Sequence, residues 1–151
     1  MMTPEERIER LRNVGLTPTP QRLAVLEYLD GNRSHPTADE IYRAVHAKHP
    51  TIVKATVYNA LSALKKVGVV HELTIEREAA RYEANISPHP HFMCRVCGKI
   101  YDIDLPCMVR PGDEVDGHRV ETVHTYIYGV CAACREIEKT KNKSKPGGKD
   151  A

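Results

Sequence analysis

The chain has 151 residues, of which 41% are hydrophobic and 28% are charged, with 22 lysines and arginines against 20 aspartates and glutamates. This length suits one typical domain or two small ones and excludes a longer array of domains. No apolar run is long enough to cross a bilayer, and charged residues follow the first four positions, so we expect a cytoplasmic protein that is not in a membrane. In that reducing compartment, the five cysteines indicate metal ligands or free thiols more than disulfides.

Four helices are predicted in the first half of the chain. The first three each follow a threonine that can act as an N-cap, as in the capping box Thr3-Pro4-Glu5-Glu6. Apolar residues then recur at helical spacing until a glycine or proline. The predicted helices lie between Thr3 and Gly15, between Thr19 and Gly31, between Thr37 and Pro50, and from about Lys54 to Val67.

The pattern changes to strand-like alternation after Gly68. Residues 69–75 and 81–86 predict a hairpin with a turn around 76–79. Helices followed by such a hairpin are typical of a winged helix-turn-helix, in which one helix enters the major groove of DNA. The sequence therefore predicts an α+β fold with an N-terminal winged helix.

The fourth predicted helix has polar residues on its outward face. Val57, Leu61 and Leu64 form its buried stripe. Hydroxyl and amide groups on the other face can read base edges, while lysines neutralise phosphates. A merely solvated helix face explains the same pattern equally well. The outward residues are Thr56, Tyr58, Asn59, Ser62, Lys65 and Lys66.

Two C-x-x-C pairs, Cys94/Cys97 and Cys131/Cys134, provide four thiolates for a closed tetrahedral zinc site. The 33 residues between the pairs exceed the usual zinc-ribbon interval, so the pairs are expected to join separate strands. A redox dithiol and two unrelated pairs are the alternatives. Cys107 lies outside the pattern and is expected to be a small residue that is buried or partly exposed.

If the four thiolates hold zinc, His89 and His91 can be ligands of a second metal ion. Residues two apart on an extended segment point to the same face, so both imidazoles can converge. His35, Glu83 and Asp102 are candidate companions, and imidazole with carboxylate suits iron(II) or manganese(II), although zinc also fits. The alternative is that these are ordinary solvated side chains.

The motifs together resemble the ferric uptake regulator family of metal-dependent bacterial repressors, especially its peroxide-responsive members. They cover residues from about 5 to 137. The motifs are Thr17-Pro18-Thr19-Pro20-Gln21-Arg22, His35-Pro36-Thr37-Ala38-Asp39-Glu40-Ile41-Tyr42, Ala55-Thr56-Val57-Tyr58-Asn59, Arg81-Tyr82-Glu83, His89-Pro90-His91, Cys97-Gly98-Lys99-Ile100 and Tyr128-Gly129-Val130-Cys131.

The resemblance implies a homodimer that binds double-stranded DNA at an inverted-repeat operator. Its expected parts are a winged-helix DNA-binding domain at 1–86 and a small α/β metal-binding dimerisation domain at 87–138. A disordered basic tail is expected at 139–151, because the lysine-rich run from 139 to 149 has no apolar residue to pack. Structural Zn²⁺ is expected at Cys94, Cys97, Cys131 and Cys134, and regulatory Fe²⁺ or Mn²⁺ at His35, Glu83, His89, His91 and Asp102. Arg22, Tyr58 and Asn59 match the family's DNA contacts, and the outward face adds Thr56 and Lys65.

The resemblance favours peroxide sensing, in which iron-catalysed oxidation of a ligating histidine releases DNA. Asp102, the Ala38–Tyr42 motif and Asn59 resemble the peroxide sensors. Glu83 resembles the iron-responsive repressors of metal uptake genes, which are the alternative. Pro88 and Pro90 cannot ligate through their side chains, so an additional site found in many of those repressors is not expected.

The segment from Asp104 to Val120 departs from the family because its two prolines and its glycines oppose a long helix. We therefore expect the dimerisation helix to be shortened or lost, with residues 119–128 forming a strand of the dimer sheet. His124 is expected to be a strand-surface residue.

Other classes remain as alternatives. Zinc with histidines and carboxylates can form a hydrolytic site, but the chain has no H-E-x-x-H helix or nucleophile elbow. A metal-storage or structural zinc protein is a third interpretation. We expect a repressor and not an enzyme, and metal-dependent binding to palindromic DNA without turnover distinguishes it from both alternatives.

Overall fold

The computed structural model of the protein describes residues 1–144, which form two compact units. The first unit is Met1–Ser87 and the second begins at Pro88, whereas the sequence predicted the boundary one residue earlier. The first unit contains α1 (Pro4–Asn13), α2 (Pro20–Leu29), α3 (Ala38–Lys48), α4 (Lys54–Lys66), β1 (His71–Leu73) and β2 (Arg81–Glu83). The second contains β3 (His91–Cys94), β4 (Ile100–Asp102), β5 (Glu114–Val115), β6 (His118–Arg119), β7 (Tyr126–Gly129) and α5 (Ala132–Ser144).

The first three helices begin at the threonines that the sequence indicated. In α1, the Thr3 hydroxyl accepts a hydrogen bond from the Glu6 amide at 3.1 Å, and the Glu6 carboxylate accepts one from the Thr3 amide at 2.7 Å. The Thr19 and Thr37 hydroxyls likewise cap α2 and α3, because they accept hydrogen bonds from the amides of Arg22 and Glu40. These bonds satisfy amides that a helix N-terminus otherwise leaves unpaired. The four predicted helices are confirmed.

Apolar packing holds the first unit together and positions α4. Val57, Leu61 and Leu64 of α4 are buried against a core that includes Leu26 and Ile41. Burying one such side chain contributes roughly 1.5 to 3 kcal/mol relative to exposure. Because α4 has no side-chain cap at Val53, its placement depends on this packing.

The wing follows directly from α4. Strands β1 and β2 pair antiparallel, with His71 opposite Glu83, Glu72 opposite Tyr82 and Leu73 opposite Arg81. The predicted hairpin is confirmed, although its strands are shorter than the predicted 69–75 and 81–86.

The second unit contains a three-stranded sheet in the order β4-β3-β7. Strand β3 pairs antiparallel with β4 and parallel with β7, and β5 and β6 form a separate short hairpin. No helix lies between β4 and β7, where all residues are described, so the predicted loss of a long helix there is confirmed.

Two expectations for the second unit need correction. The strand predicted at 119–128 is largely wrong: β7 begins at Tyr126, because Tyr126 is paired with His91, the first residue of β3. The basic tail predicted as disordered from 139 is helical through Ser144, with a Lys139 to Glu136 ion pair at 3.3 Å. Residues 145–151 of that predicted tail lie outside the described residues.

Over residues 1–144, no helix combines the length and the apolar character needed to span a bilayer.

Candidate metal centres and DNA-binding face

Strand β3 sorts the candidate ligands of the second unit onto two faces of its sheet. Side chains alternate between the two faces of a sheet along a strand, so His91 lies on one face while Phe92 and Cys94 lie on the other. Residues directly opposite each other on paired strands share a face. Asp102 is opposite His91 and Tyr101 is opposite Phe92. The sheet therefore has a histidine face and a cysteine face.

The four predicted cysteines come together on the cysteine face. Their sulfur atoms all lie within 4.8 Å of one another, and the Sγ atoms of Cys97 and Cys131 are 3.8 Å apart. A tetrahedral zinc site with bonds of about 2.3 Å requires sulfur separations of about 3.8 Å. Cys94, Cys131 and Cys134 are buried and Cys97 is exposed, and no disulfide links them. The residues thus fit structural zinc, while Cys107 lies apart from the cluster and is half-buried, as predicted.

Backbone amides prepare the Cys94 sulfur for a metal. Burial alone would raise the pKa of Cys94, but the amides of Cys131, Cys97 and Val96 donate hydrogen bonds to its Sγ and lower that pKa to about 6. The three N to Sγ distances are 3.3, 3.5 and 3.4 Å respectively. The Gly98 amide, in the left-handed region at φ 74°, donates to the Cys94 carbonyl and closes the turn. The thiolate form is therefore stabilised before metal binds.

Tyr101 is a member of this cluster that sequence reasoning missed. Its hydroxyl hydrogen-bonds to the Cys131 side chain, which lowers the pKa of Cys131 and raises that of Tyr101 to about 12. The Lys99 ammonium lies 5.0 Å from the centre of the Tyr101 ring. Strand alternation would have placed Tyr101 on the cysteine face, but only once the register of β3 with β4 was known.

The histidine face brings together three predicted ligands. The Nε2 atoms of His89 and His91 lie 3.2 and 3.5 Å from the same carboxylate oxygen, Oδ1 of Asp102. The two imidazole centres are 4.3 Å apart. The prediction that these histidines converge is confirmed. His91 is buried, His89 is 14% exposed and Asp102 is 26% exposed, so this donor set borders on solvent.

The first unit contains the other two predicted ligands, His35 and Glu83, as a buried pair. The His35 Nε2 atom is 3.6 Å from Oε2 of Glu83. Strand β2 brings them together, because Tyr82 donates its amide to the Pro36 carbonyl at 2.9 Å and Arg81 donates to the His35 carbonyl at 3.2 Å. Glu76 in turn binds the Arg81 guanidinium at 2.9 Å.

His35 has an unusual backbone conformation. Its φ of 53° lies in the left-handed region, which residues with a Cβ adopt at a cost of about 1 to 3 kcal/mol. The bonds from β2 to the His35 and Pro36 carbonyls hold this conformation in place. A strained residue that is also buried and polar is typical of a functional position.

The predicted DNA-contacting residues of α4 lie on its solvent side. Tyr58, Asn59 and Lys65 are exposed and Thr56 is half-buried. The Lys54 ammonium is 5.6 Å from the centre of the Tyr58 ring and 3.5 Å from Asp39. The helix thus presents hydroxyl and amide groups outward, as a helix that reads base edges requires.

Two of the predicted DNA contacts also have partners within the first unit. The half-buried Arg22 donates to the Thr17 carbonyl at 2.9 Å, at the turn before α2. The Lys65 ammonium pairs with the Glu72 carboxylate of β1. Both side chains therefore help to hold local structure.

A winged-helix unit followed by a unit with a four-thiolate centre defines the chain as a metal-binding protein of the winged-helix class. The model of the ferric uptake regulator family matches residues 13–129. The chain belongs to this family.

Individual relatives support the assignment. The chain is 42% identical to the peroxide-responsive repressor PerR of Staphylococcus epidermidis over 144 residues, which cover 87% of this chain and 90% of that protein. The crystal structure of the Campylobacter jejuni peroxide stress regulator is 26% identical with a TM-score of 0.63, covering 89% of this chain and all (100%) of that one. The Francisella tularensis ferric uptake regulator with iron is 25% identical with a TM-score of 0.62, covering 80% and 96%.

Proposed function

We propose that the protein is a homodimeric, metal-dependent transcriptional repressor that binds an inverted-repeat operator and responds to hydrogen peroxide. The observation that carries this proposal is the separation of a complete four-thiolate cluster from a histidine face of different chemistry. Thiolates satisfy structural zinc without further ligands, so the imidazoles and carboxylates are available for a second, exchangeable ion. We infer that peroxide is the signal from two relatives, the staphylococcal peroxide-responsive repressor and the Campylobacter jejuni peroxide stress regulator.

We infer that one regulatory ion takes ligands from both units: His35 and Glu83 from the first, and His89, His91 and Asp102 from the second. Each set alone leaves coordination positions of iron(II) or manganese(II) open, since these ions prefer octahedral surroundings with oxygen and imidazole ligands. The two sets together supply three imidazoles and two carboxylates. In this proposal the ion joins the wing strand β2 to the histidine face.

Joining the units gives the ion control over DNA binding. A dimer reads two half-sites only when its recognition helices have the correct separation. An ion that binds better to the conformer with this separation increases its population by that difference in affinity. We assign the DNA contacts to Thr56, Tyr58 and Asn59 of α4, with Arg22 at the start of α2.

The peroxide response depends on the imidazoles. When bound, iron(II) supplies a one-electron reductant for hydrogen peroxide next to its ligands, a reaction that manganese(II) does not supply. The rings of His89 and His91 lie 4.3 Å apart and next to the same Asp102 oxygen, so both imidazoles could be ligands of one bound ion. Oxidation of either ring removes a donor, which weakens metal binding and hence DNA binding.

An iron-responsive repressor of metal uptake genes is the second candidate. Glu83, in place of the aspartate usual in peroxide sensors, favours it. In that case metal occupancy alone would be the signal, and the histidines would stay intact under peroxide.

The test compares His89→Ala with His118→Ala, a matched control in the exposed β5-β6 hairpin. The probe is an inverted-repeat duplex recovered by selection from a random library with manganese-loaded protein. We expect His89→Ala to keep zinc and the dimer but to lose manganese-stimulated binding, measured by fluorescence anisotropy, while His118→Ala binds like the wild type. Unchanged metal stimulation in His89→Ala would contradict the ligand assignment.

A further inference from the structure

The lysine at the end of the recognition helix is held by a carboxylate of the wing. Lys65 of α4 pairs with Glu72 of β1, and their side chains are 54% and 21% exposed. The hydrogen bond to Glu72, followed by the charge of that carboxylate, raises the pKa of Lys65. Lys65 therefore stays protonated, but the charge that it presents to solvent is partly cancelled.

The pair lies in a groove between α4 and the wing. The groove has a volume of about 290 Å³, and its lining includes Tyr58, Ser62, Lys65, Glu72 and Tyr82. Glu72 and Tyr82 lie opposite each other on β1 and β2, so their side chains share the face of the hairpin that lines this groove. Three hydroxyl groups and one ammonium can donate hydrogen bonds here, which is the donor set that suits a phosphate. The negative charge of the Glu72 carboxylate, which also lines the groove, repels an anion there.

Resting on the proposed DNA-binding function, we propose that this groove binds one backbone phosphate of DNA and that Glu72 competes with that phosphate for Lys65. Exposed ion pairs change an equilibrium by no more than about fivefold, so the approaching phosphate can take over the ammonium. Glu72 then lowers affinity for every duplex alike, because phosphate contacts do not depend on sequence. The base contacts of α4 and the regulatory metal therefore contribute a larger share of the free energy of DNA binding.

The test uses Glu72→Gln, Lys65→Gln and the double variant, with Glu78→Gln as the matched control. Glu78 is an exposed acid in the turn of the same hairpin, so its substitution makes the same change in net charge. Binding of manganese-loaded protein to the selected inverted-repeat duplex is measured over a range of salt concentrations. We expect Glu72→Gln to bind more tightly than Glu78→Gln by about two- to fivefold for each protomer, or about four- to 25-fold for the dimer.

The Lys65 variants show whether that gain comes from the pair. Lys65→Gln should reduce the magnitude of the slope of log affinity against log salt by about 1.8, as expected for one lost phosphate contact in each protomer of the dimer. The double variant should bind like Lys65→Gln alone. The proposal is overturned if Glu72→Gln binds no more tightly than Glu78→Gln, or if its gain persists without Lys65.

Heparin chromatography separates this proposal from the proposed function, because heparin is a polyanion without a base sequence. We expect Glu72→Gln to elute at higher salt than Glu78→Gln, and Lys65→Gln to abolish the difference. If the wild type shows no metal-stimulated duplex binding, the repressor proposal fails, but the heparin result still decides the role of Glu72. Co-elution of Glu72→Gln and Glu78→Gln would overturn that role.

Discussion

Replacing Cys94 with serine should unfold the second unit while leaving the first folded. Cys94 is fully buried, and three backbone amides donate to its sulfur. The buried cluster of the second unit consists of Cys94, Cys131 and Cys134, with a few half-buried apolar side chains packed against it. The first unit has an extensive apolar core of its own. Stability of the second unit therefore depends on metal ligation.

The size of the effect follows from the metal. Structural zinc contributes about 10 to 16 kcal/mol of apparent binding free energy, so an equal share for each of four thiolates is roughly 2.5 to 4 kcal/mol. A unit the size of residues 88–144 has a typical stability of about 3 to 8 kcal/mol. Losing one thiolate thus removes roughly a third of that stability or more, and losing the ion removes all of it.

Hydrogen exchange at single-residue resolution measures the two units separately. In Cys94→Ser we expect amides of β3, β4 and β7 to lose protection, while those of α2 and α4 exchange as in the wild type. Cys107→Ser is the matched control and should change neither unit. Protected β3 and β7 amides in zinc-free Cys94→Ser would refute the argument that metal ligation holds this unit together.

Two further substitutions test the local structure. Tyr101→Phe removes the hydroxyl that hydrogen-bonds to Cys131. Because this hydrogen bond orients a metal ligand, its loss should weaken zinc binding about 10- to 100-fold, measured by competition with a chelator. An unchanged zinc affinity would show that the hydrogen bond does not support the zinc centre. Thr3→Ala removes the N-cap of α1 and should lower the free energy of unfolding of the first unit by about 1 kcal/mol, measured in urea. Thr17→Ala is the control, because Thr17 is exposed and caps no helix, and it should leave that free energy unchanged. Equal stability of the two variants would rule out a contribution from the capping box.

The features that could be predicted from sequence are those governed by local chemistry. Threonine caps, with a glycine or proline beyond the helix end, indicate the first three helices, because capping involves residues within one turn. Paired cysteines indicate a thiolate cluster wherever their strands lie. Period-two alternation also predicts that His89 and His91 converge, and their rings are 4.3 Å apart.

The features that could not be predicted depend on the pairing of distant segments. The role of Tyr101 requires the register of β3 with β4, and the pairing of Lys65 with Glu72 requires the packing of the wing against α4. The left-handed backbone of His35 is held by strand β2, far along the chain. The continuation of α5 through Ser144 shows a further limit, because lysine-rich sequence is compatible with both a helix and a solvated coil.

The most direct test of peroxide sensing is mass spectrometry of the peptides that contain His35, His89 and His91. The protein is loaded anaerobically with iron(II), treated briefly with dilute hydrogen peroxide, and compared with a manganese-loaded control. We expect iron-dependent addition of one oxygen to one of these histidines, together with loss of operator binding. Intact histidines in a protein whose DNA binding still responds to iron would contradict it and establish the iron-responsive alternative.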